Sequence, residues 1–243
     1  MEHLAYRFKE GELIPIKHPH IPNFSNLLHI ERQKETLRRN TLQFVKGLPA
    51  NDVLLWGDRG TGKSSLVKSM LGLFAKDGLR LVQVYKMDIS HLSELYDLLR
   101  ERQEKFILFF DDLSFEAGDE EIRILKSLMD GDVEERPSNV LVYATSNRRH
   151  LMPEREKQEK FPEESYWERV SLVERCGIRL GFFAFGKEQY LDIIRHLAFQ
   201  RGLSIKEDEL QKLALDWALH NGFSGRSAYH FIKDLEGWLG LKS

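Results

Sequence analysis

Eight consecutive residues have the types and spacing of a loop that binds phosphate groups. Residues 57–64 read Gly-Asp-Arg-Gly-Thr-Gly-Lys-Ser, a glycine followed by four residues and then Gly-Lys-Ser. Glycines allow backbone N–H groups to turn inward around a polyphosphate, while Lys63 can reach the β- and γ-phosphates and the Ser64 hydroxyl can bind Mg²⁺. The pattern therefore predicts a nucleotide polyphosphate as ligand. The residues expected to contact it are Gly57, Asp58, Arg59, Gly60, Thr61, Gly62, Lys63, Ser64 and Ser65.

The residues on either side of this loop agree with that interpretation, because a phosphate-binding loop connects a strand to a helix. Residues 52–56 (DVLLW) form a short apolar run that predicts a strand. Residues 65–75 carry apolar side chains at helical spacing and predict a helix. The N-terminal dipole of that helix would point at the same anion.

Two acidic residues follow a second apolar run. Residues 106–110 (FILFF) are wholly apolar, as strands buried on both faces are, and Asp111 and Asp112 come next. An acidic residue at the end of such a strand holds Mg²⁺ in phosphate-loop proteins, usually through water, and Asp111 fits that role. Asp112 could orient or deprotonate an attacking water. The alternative for this pair is a helix cap or a solvated turn.

A third strand end carries polar residues. Residues 140–144 (VLVYA) predict a buried strand, and Thr145-Ser146-Asn147 follow it. Ligands of parallel α/β sheets bind at the carboxyl ends of the strands, so Asn147 could hydrogen-bond both the γ-phosphate and the water. An ordinary Asx turn is the alternative.

Composition limits the class of protein. The 243 residues are 42% hydrophobic and 30% charged, which is typical of a globular core with a soluble surface, and no apolar run is long enough to span a membrane. The N-terminus has no signal-peptide core, and the single cysteine, Cys176, excludes an internal disulfide. We therefore expect a cytoplasmic protein, with Cys176 as a small buried residue. The net charge of -2 gives no general attraction to nucleic acid, which stays a possible but unsupported partner.

Strand and helix patterns divide the chain into three parts. Residues 1–30 read as an extended N-terminal lead-in, and residues 31–186 alternate helices with five predicted strands, which indicates an open parallel α/β sheet. Residues 187–243 contain three helical patterns and predict a small helical lid. Residues 153–164 are charged and flanked by proline, so we expect a surface insertion.

The ordered set GDRGTGKS, FILFFDD, VLVYATSN, VERCG and GFSGR resembles an AAA+ ATPase. The stretches ERQKETLRRNTLQFVKGLPANDVLLWGDRGTGKSSLVK and LVERCGIRLGF are similar to a bacterial family of uncharacterised, single-module AAA+ ATP-binding proteins, and the resemblance covers residues 13–240. It implies an α/β P-loop NTPase with a five-stranded parallel sheet and a small C-terminal helical lid. It also implies ATP and Mg²⁺ as ligands and a homo-oligomer, either a ring or a nucleotide-dependent assembly.

The resemblance assigns roles around the phosphate loop. Lys63 and Ser64 match Walker A, Asp111 and Asp112 match Walker B, and Asn147 matches sensor 1. Many fast AAA+ motors carry Asp-Glu in Walker B, whereas replication initiators and helicase loaders carry Asp-Asp, as this chain does. The shorter second carboxylate makes a slow nucleotide switch credible.

Three further residues receive roles from the resemblance. Arg226 matches sensor 2 at the start of a lid helix, and Ile30 lies in the segment that lines the adenine pocket. Arg175 matches the arginine finger that reaches a neighbouring subunit's nucleotide, with Arg169 and Arg179 as close competitors. An isolated arginine is more often a solvated surface charge, so this role stays open.

We therefore expect ATP hydrolysis at an inter-subunit site, used to remodel an unknown protein partner. One alternative is a slow nucleotide-gated switch or loader that binds a helicase, DNA or another protein. A small-molecule kinase is the second alternative, although the chain lacks an acceptor-pocket pattern.

Overall fold

A computed structural model of the chain describes residues 3–115, 120–130, 135–147 and 171–241. Its centre is a seven-stranded sheet in the order β2-β1-β4-β5-β6-β3-β7. All pairings are parallel except that of β1 with β2. The strands are β1 (Ala5–Lys9), β2 (Glu12–Pro15), β3 (Val53–Gly57), β4 (Leu79–Val84), β5 (Lys105–Phe110), β6 (Val140–Ser146) and β7 (Ile178–Phe182).

The strand number predicted from the sequence, five, is wrong, because an N-terminal hairpin extends the sheet. The five expected strands are present as β3 to β7. β1 pairs in parallel with the edge of β4 that lies opposite β5. β1 and β2 are only five and four residues long and carry charged side chains, so their local pattern is weak. Pairing with β4 supplies the burial that the local sequence lacks, and Phe8 becomes fully buried.

Helices on the faces of the sheet and after it have both ends within the described residues. They are α1 (Glu31–Val45), α2 (Lys63–Phe74), α3 (Leu92–Arg100), α4 (Glu120–Asp130), α5 (Lys187–Gln200), α6 (Glu207–Asn221) and α7 (Gly225–Gly240). A 3-10 helix covers Lys86–His91 and leads directly into α3. The predicted insertion at 153–164 lies outside the described residues, and the three-part division of the chain stays a prediction.

Both faces of the sheet are covered, which explains the unbroken apolar run of β5. Ile107 and Phe109 face the cluster that contains α1 and α2, while Phe106 and Leu108 face the cluster that contains α3 and α4. All four side chains are fully buried. A strand buried on both faces needs apolar residues at successive positions, in contrast to a half-exposed strand that alternates.

Parallel register brings the ends of three strands to one edge of the sheet. Phe110 of β5 pairs with Ala144 of β6, and Trp56 of β3 pairs with Ser146 of β6. The residues that follow β3, β5 and β6 therefore meet at the carboxyl edge, where ligands of such sheets bind.

Candidate nucleotide-binding site

The loop between β3 and α2 depends on glycine at its two ends. Gly57 has φ 122°, and a Cβ added there would lie 2.0 Å from the Phe182 carbonyl oxygen of β7. Gly62 has φ 98° and directly precedes α2 as its N-cap residue in the left-handed region. L side chains rarely adopt either conformation, so the sequence can make this turn only with glycine.

Lys63 is buried and its ammonium group turns back onto the loop. Its Nζ donates to the carbonyl oxygens of Gly57, at 2.9 Å, and of Asp58, at 2.6 Å. Burial lowers the pKa of Lys63, and the carboxylates of Asp112, Asp58 and Asp111 oppose that shift. The ammonium group is thus held beside the backbone that would surround a phosphate.

Asp111 connects three elements at the end of β5. Its Oδ1 accepts a hydrogen bond from Ser64 Oγ of α2, at 2.5 Å, and one from Thr145 Oγ1 of β6, at 2.9 Å. Its Oδ2 lies 3.6 Å from the Nζ of Lys68, one turn further along α2. These contacts set the direction of the Asp111 carboxylate relative to the loop.

Asp112 is held by the residues that end β6. Its backbone has φ 58°, which is uncommon for a residue other than glycine, and its N–H donates to Thr145 Oγ1 at 2.9 Å. Asn147 Nδ2 donates to Asp112 Oδ1 at 2.6 Å. Sequence reasoning assigned no role to Thr145, although it begins the polar group after the apolar run of β6.

The start of α7 closes over the loop. The Gly225 N–H donates to the Gly60 carbonyl oxygen at 2.9 Å, and Ser224 caps the helix by accepting from the Ser227 N–H at 3.0 Å. A Cβ at Gly60 would lie 2.9 Å from the Ser224 side chain, so glycine allows this close approach. Arg226, the next residue, lines a cleft together with residues of the loop.

The cleft has a volume of about 1020 Å³ and a second, more apolar end. Ile30 is buried there, and its Cδ1 would be 3.6 Å from a Cβ at Gly62. The apolar wall that Ile30 shares is formed by Leu27, Leu28, Phe185, Ile193 and Leu197. Only Ile30 was predicted for this wall. Leu27 and Leu28 precede it in the same segment, whereas the other three residues come from a distant part of the chain and meet it only in the folded protein. At the rim, Gln200 Nε2 donates to Asn26 Oδ1 at 2.6 Å.

Most of the predicted site residues line this cleft, and a few lie elsewhere. The lining includes Ile30, Arg59, Gly60, Thr61, Gly62, Lys63, Ser64, Ser65, Asp111, Asp112, Asn147 and Arg226. Gly57 and Asp58, at the start of the loop, are not part of the cleft lining. The Asp58 N–H donates to Phe182 O at 2.9 Å, and the Asp58 carboxylate accepts from the Ala184 N–H at 2.6 Å.

The predicted arginine finger points to its own helical segment. Arg175 Nη1 donates to the Ser171 carbonyl oxygen at 2.7 Å and also bonds the Ser171 hydroxyl. Arg175 does not line the cleft, Arg179 is exposed, and Arg169 lies outside the described residues. The finger role therefore stays a prediction.

The oxygen ligands around Ser64 and Asp111 fit Mg²⁺. Among the described residues, no group of three His, Cys, Asp or Glu side chains could hold a metal on its own. Mg²⁺ usually retains water and binds one or two protein oxygens together with substrate phosphates. The Ser64 hydroxyl donates a hydrogen bond to Asp111, so its oxygen lone pairs remain available to bind the metal.

None of the helices in the described part of the chain is long and apolar enough to cross a membrane.

Comparison with solved structures shows the fold. The Thermotoga maritima RuvB Holliday junction branch migration motor is similar with a TM-score of 0.56 and 15% identity, over 87% of this chain and 63% of that chain. A point variant of the same RuvB gives a TM-score of 0.60 and 15% identity, over 90% and 65% of the two chains. The FIGL-1 AAA domain in complex with ADP gives 0.58 and 17%, over 87% and 72%.

These structures have the AAA+ P-loop NTPase fold, and the chain shares it: an α/β fold with a mostly parallel sheet. The chain spans less than two thirds of the length of the RuvB structures. A comparison with curated proteins found no match. The family model described as "Protein of unknown function (DUF815)" matches residues 1–239, and the chain therefore belongs to this family.

Proposed function

We propose that the protein binds ATP with Mg²⁺ and hydrolyses it to ADP and phosphate in this cleft. The observation that carries the proposal is the hydrogen-bonded network of Ser64, Asp111, Thr145, Asp112 and Asn147 beside Lys63. Its members come from the loop and from two strand ends. Positioning and electrostatic stabilisation are the main demands of phosphoryl transfer, and this network would supply both to a bound nucleotide.

The phosphate groups would lie on the loop and the start of α2. Backbone N–H groups and the helix N-terminus favour the anion. Lys63 would exchange its bonds to the Gly57 and Asp58 carbonyl oxygens for bonds to the β- and γ-phosphates. Mg²⁺ held by Ser64 and Asp111 would neutralise charge on the same phosphates.

The attacking water would lie beside Asp112. Its carboxylate can accept a proton or orient the water, and the Asn147 amide that bonds Asp112 Oδ1 can contact the γ-phosphate. Arg226 would add positive charge from α7, which closes on the loop through the bond from Gly225 to Gly60. The apolar wall around Ile30 suits the nucleotide base.

We further propose a homo-oligomer in which Arg175 of one subunit completes the site of its neighbour. For this, Arg175 would exchange its bonds to Ser171 for bonds to the neighbour's phosphate. An arginine supplied by another subunit couples hydrolysis to assembly, because it stabilises transition-state charge only when subunits meet. The cycle would then remodel an unknown protein partner, with residues 187–243 acting as the lid of the core at 31–186.

A slow switch or loader is the second candidate, and the geometry of Asp112 favours it. The aspartate is one methylene shorter than a glutamate, and one of its oxygens already accepts from Asn147 at 2.6 Å. Both features reduce its ability to activate water. This candidate predicts tight nucleotide binding with hydrolysis that a partner or nucleic acid stimulates.

Lys63→Ala tests the common part of both candidates. We expect it to abolish ATP binding or hydrolysis, while Lys76→Ala, an exposed lysine after α2, serves as the matched control. Phosphate release and ATP binding should be measured together with native mass, with and without ATP. Unchanged activity in Lys63→Ala would refute the proposal, and a phosphorylated acceptor in place of free phosphate would indicate a kinase.

A further inference from the structure

A second lysine lies beside the acidic pair. Lys68 is on α2 four residues after Ser64, so both side chains lie on the same helix face. Long side chains of a helix lean toward its N-terminus, and this brings Lys68 Nζ to 3.6 Å from Asp111 Oδ2. The ammonium group also lies 5.7 Å from the centre of the Phe109 ring.

The position of Lys68 is distinct from that of Lys63. Lys63 donates to loop carbonyl oxygens, whereas Lys68 contacts the Asp111 carboxylate and the Phe109 ring at the end of β5. The side chains of Lys68 and Asp111 are 30% and 29% exposed, so water screens this pair only in part. Lys68 therefore acts on the carboxylate rather than on the loop.

We propose that Lys68 is a positioning residue that offsets the charge of Asp111 and so raises the Mg²⁺ concentration the site requires. The inference rests on the proposed function, because it concerns the metal that accompanies the nucleotide. Ser64 and Thr145 occupy Asp111 Oδ1, and Lys68 neutralises the Oδ2 side. A divalent cation approaching Asp111 is then repelled by an ammonium group already at the carboxylate.

As a consequence, the fraction of sites that hold Mg²⁺ would vary with the free Mg²⁺ concentration, whereas a site without Lys68 would stay closer to saturation. Removal of the Lys68 charge should strengthen metal binding, since Asp111 then presents its full negative charge. A partly exposed ion pair is worth up to about 1 kcal/mol, which corresponds to about a fivefold change in an equilibrium constant.

Binding of the fluorescent analogue mant-ADP, measured over a series of free Mg²⁺ concentrations, tests the proposal without relying on hydrolysis. Lys68→Met keeps most of the length of the unbranched apolar stem and removes the charge, and we expect the midpoint of its Mg²⁺ titration to fall about fivefold. Lys68→Arg keeps the charge and should leave the midpoint within about twofold. Lys76→Met is the matched control, and metal binding to free nucleotide is common to all variants.

The possible results distinguish a charge effect of Lys68 from a packing effect and from failure of the proposed function. An unchanged or higher midpoint in Lys68→Met overturns the inference, as does an equal shift in Lys68→Arg, which would indicate a packing role. Thermal unfolding checks that Lys68→Met is folded, and Lys68→Gln repeats the test if it is not. If the native protein binds no mant-ADP at any Mg²⁺ concentration, the proposed function itself fails. Binding without a Lys68 effect leaves the function standing and removes only this inference.

Discussion

Thr145→Val should weaken the site and the fold together, because one hydroxyl group supports both acidic residues. The Thr145 side chain is 1% exposed, donates to Asp111 Oδ1 at 2.9 Å and accepts from the Asp112 N–H at 2.9 Å. Valine has nearly the same shape and the same preference for strands, so packing and backbone propensity change little. The substitution therefore isolates the two hydrogen bonds.

The two bonds set the expected magnitude. A hydrogen bond to a charged carboxylate contributes about 1.5–3 kcal/mol, and an N–H left without a partner costs about 1–3 kcal/mol when it is buried. Asp112 is exposed, so water can replace part of the second bond. We expect a loss of about 2 kcal/mol in the free energy of unfolding, which lowers the melting temperature of a chain of this size by about 4–8 °C.

The rate of ATP hydrolysis should fall as well. Asp112 has φ 58°, and the bond from its N–H to Thr145 helps to hold that uncommon conformation. Without it, we expect ATP hydrolysis to fall at least about tenfold while nucleotide binding stays within about threefold, because a misplaced base affects the transition state more than the bound substrate. Urea unfolding and phosphate release measure the two effects.

Thr145→Ser is the matched variant, since it keeps the hydroxyl and loses a methyl group. It should retain most of the hydrolysis, with a stability loss set by the missing methyl. The reasoning would be refuted if Thr145→Val were as stable and active as the native protein, or if the serine variant lost as much activity as the valine variant.

Two further predictions concern the loop and the cysteine. Gly57→Ala places a Cβ 2.0 Å from the Phe182 carbonyl oxygen, so the affinity for nucleotide should fall more than about tenfold. Gly78→Ala is the control, because Gly78 also has a positive φ but has open space where its Cβ would lie. This variant should leave the affinity for nucleotide unchanged. Equal binding by both variants in a mant-ADP titration would contradict this. Burial, assisted by the Asp52 carboxylate, raises the pKa of Cys176 to about 12. Because only about one thiol in ten thousand is then ionised near pH 8, Ellman's reagent should react with Cys176 only after unfolding, and fast reaction of the folded protein would count against it.

Several features of the site follow from local sequence. Glycine at 57 and 62, lysine at 63 and serine at 64 have fixed spacing, and the loop they form joins β3 directly to α2. The apolar run before Asp111 also predicted its buried strand correctly, because burial on both faces requires an unbroken run. Short strands such as β1 and β2 carry no such pattern, and their place in the sheet comes from pairing with β4.

The phosphate loop, the alternation of strands and helices after residue 31, and the acidic pair at a strand end could all be predicted from the sequence, since each depends on residues close together in the chain. Which distant side chains meet those residues depends on the folded arrangement of the whole chain. Thr145 reaches Asp111 because β6 lies next to β5, and Lys68 reaches it because α2 packs over β5. The apolar wall beside Ile30 combines the segment before α1 with α5. Such contacts depend on strand order and helix packing, which are properties of the whole chain and leave no local pattern in the sequence.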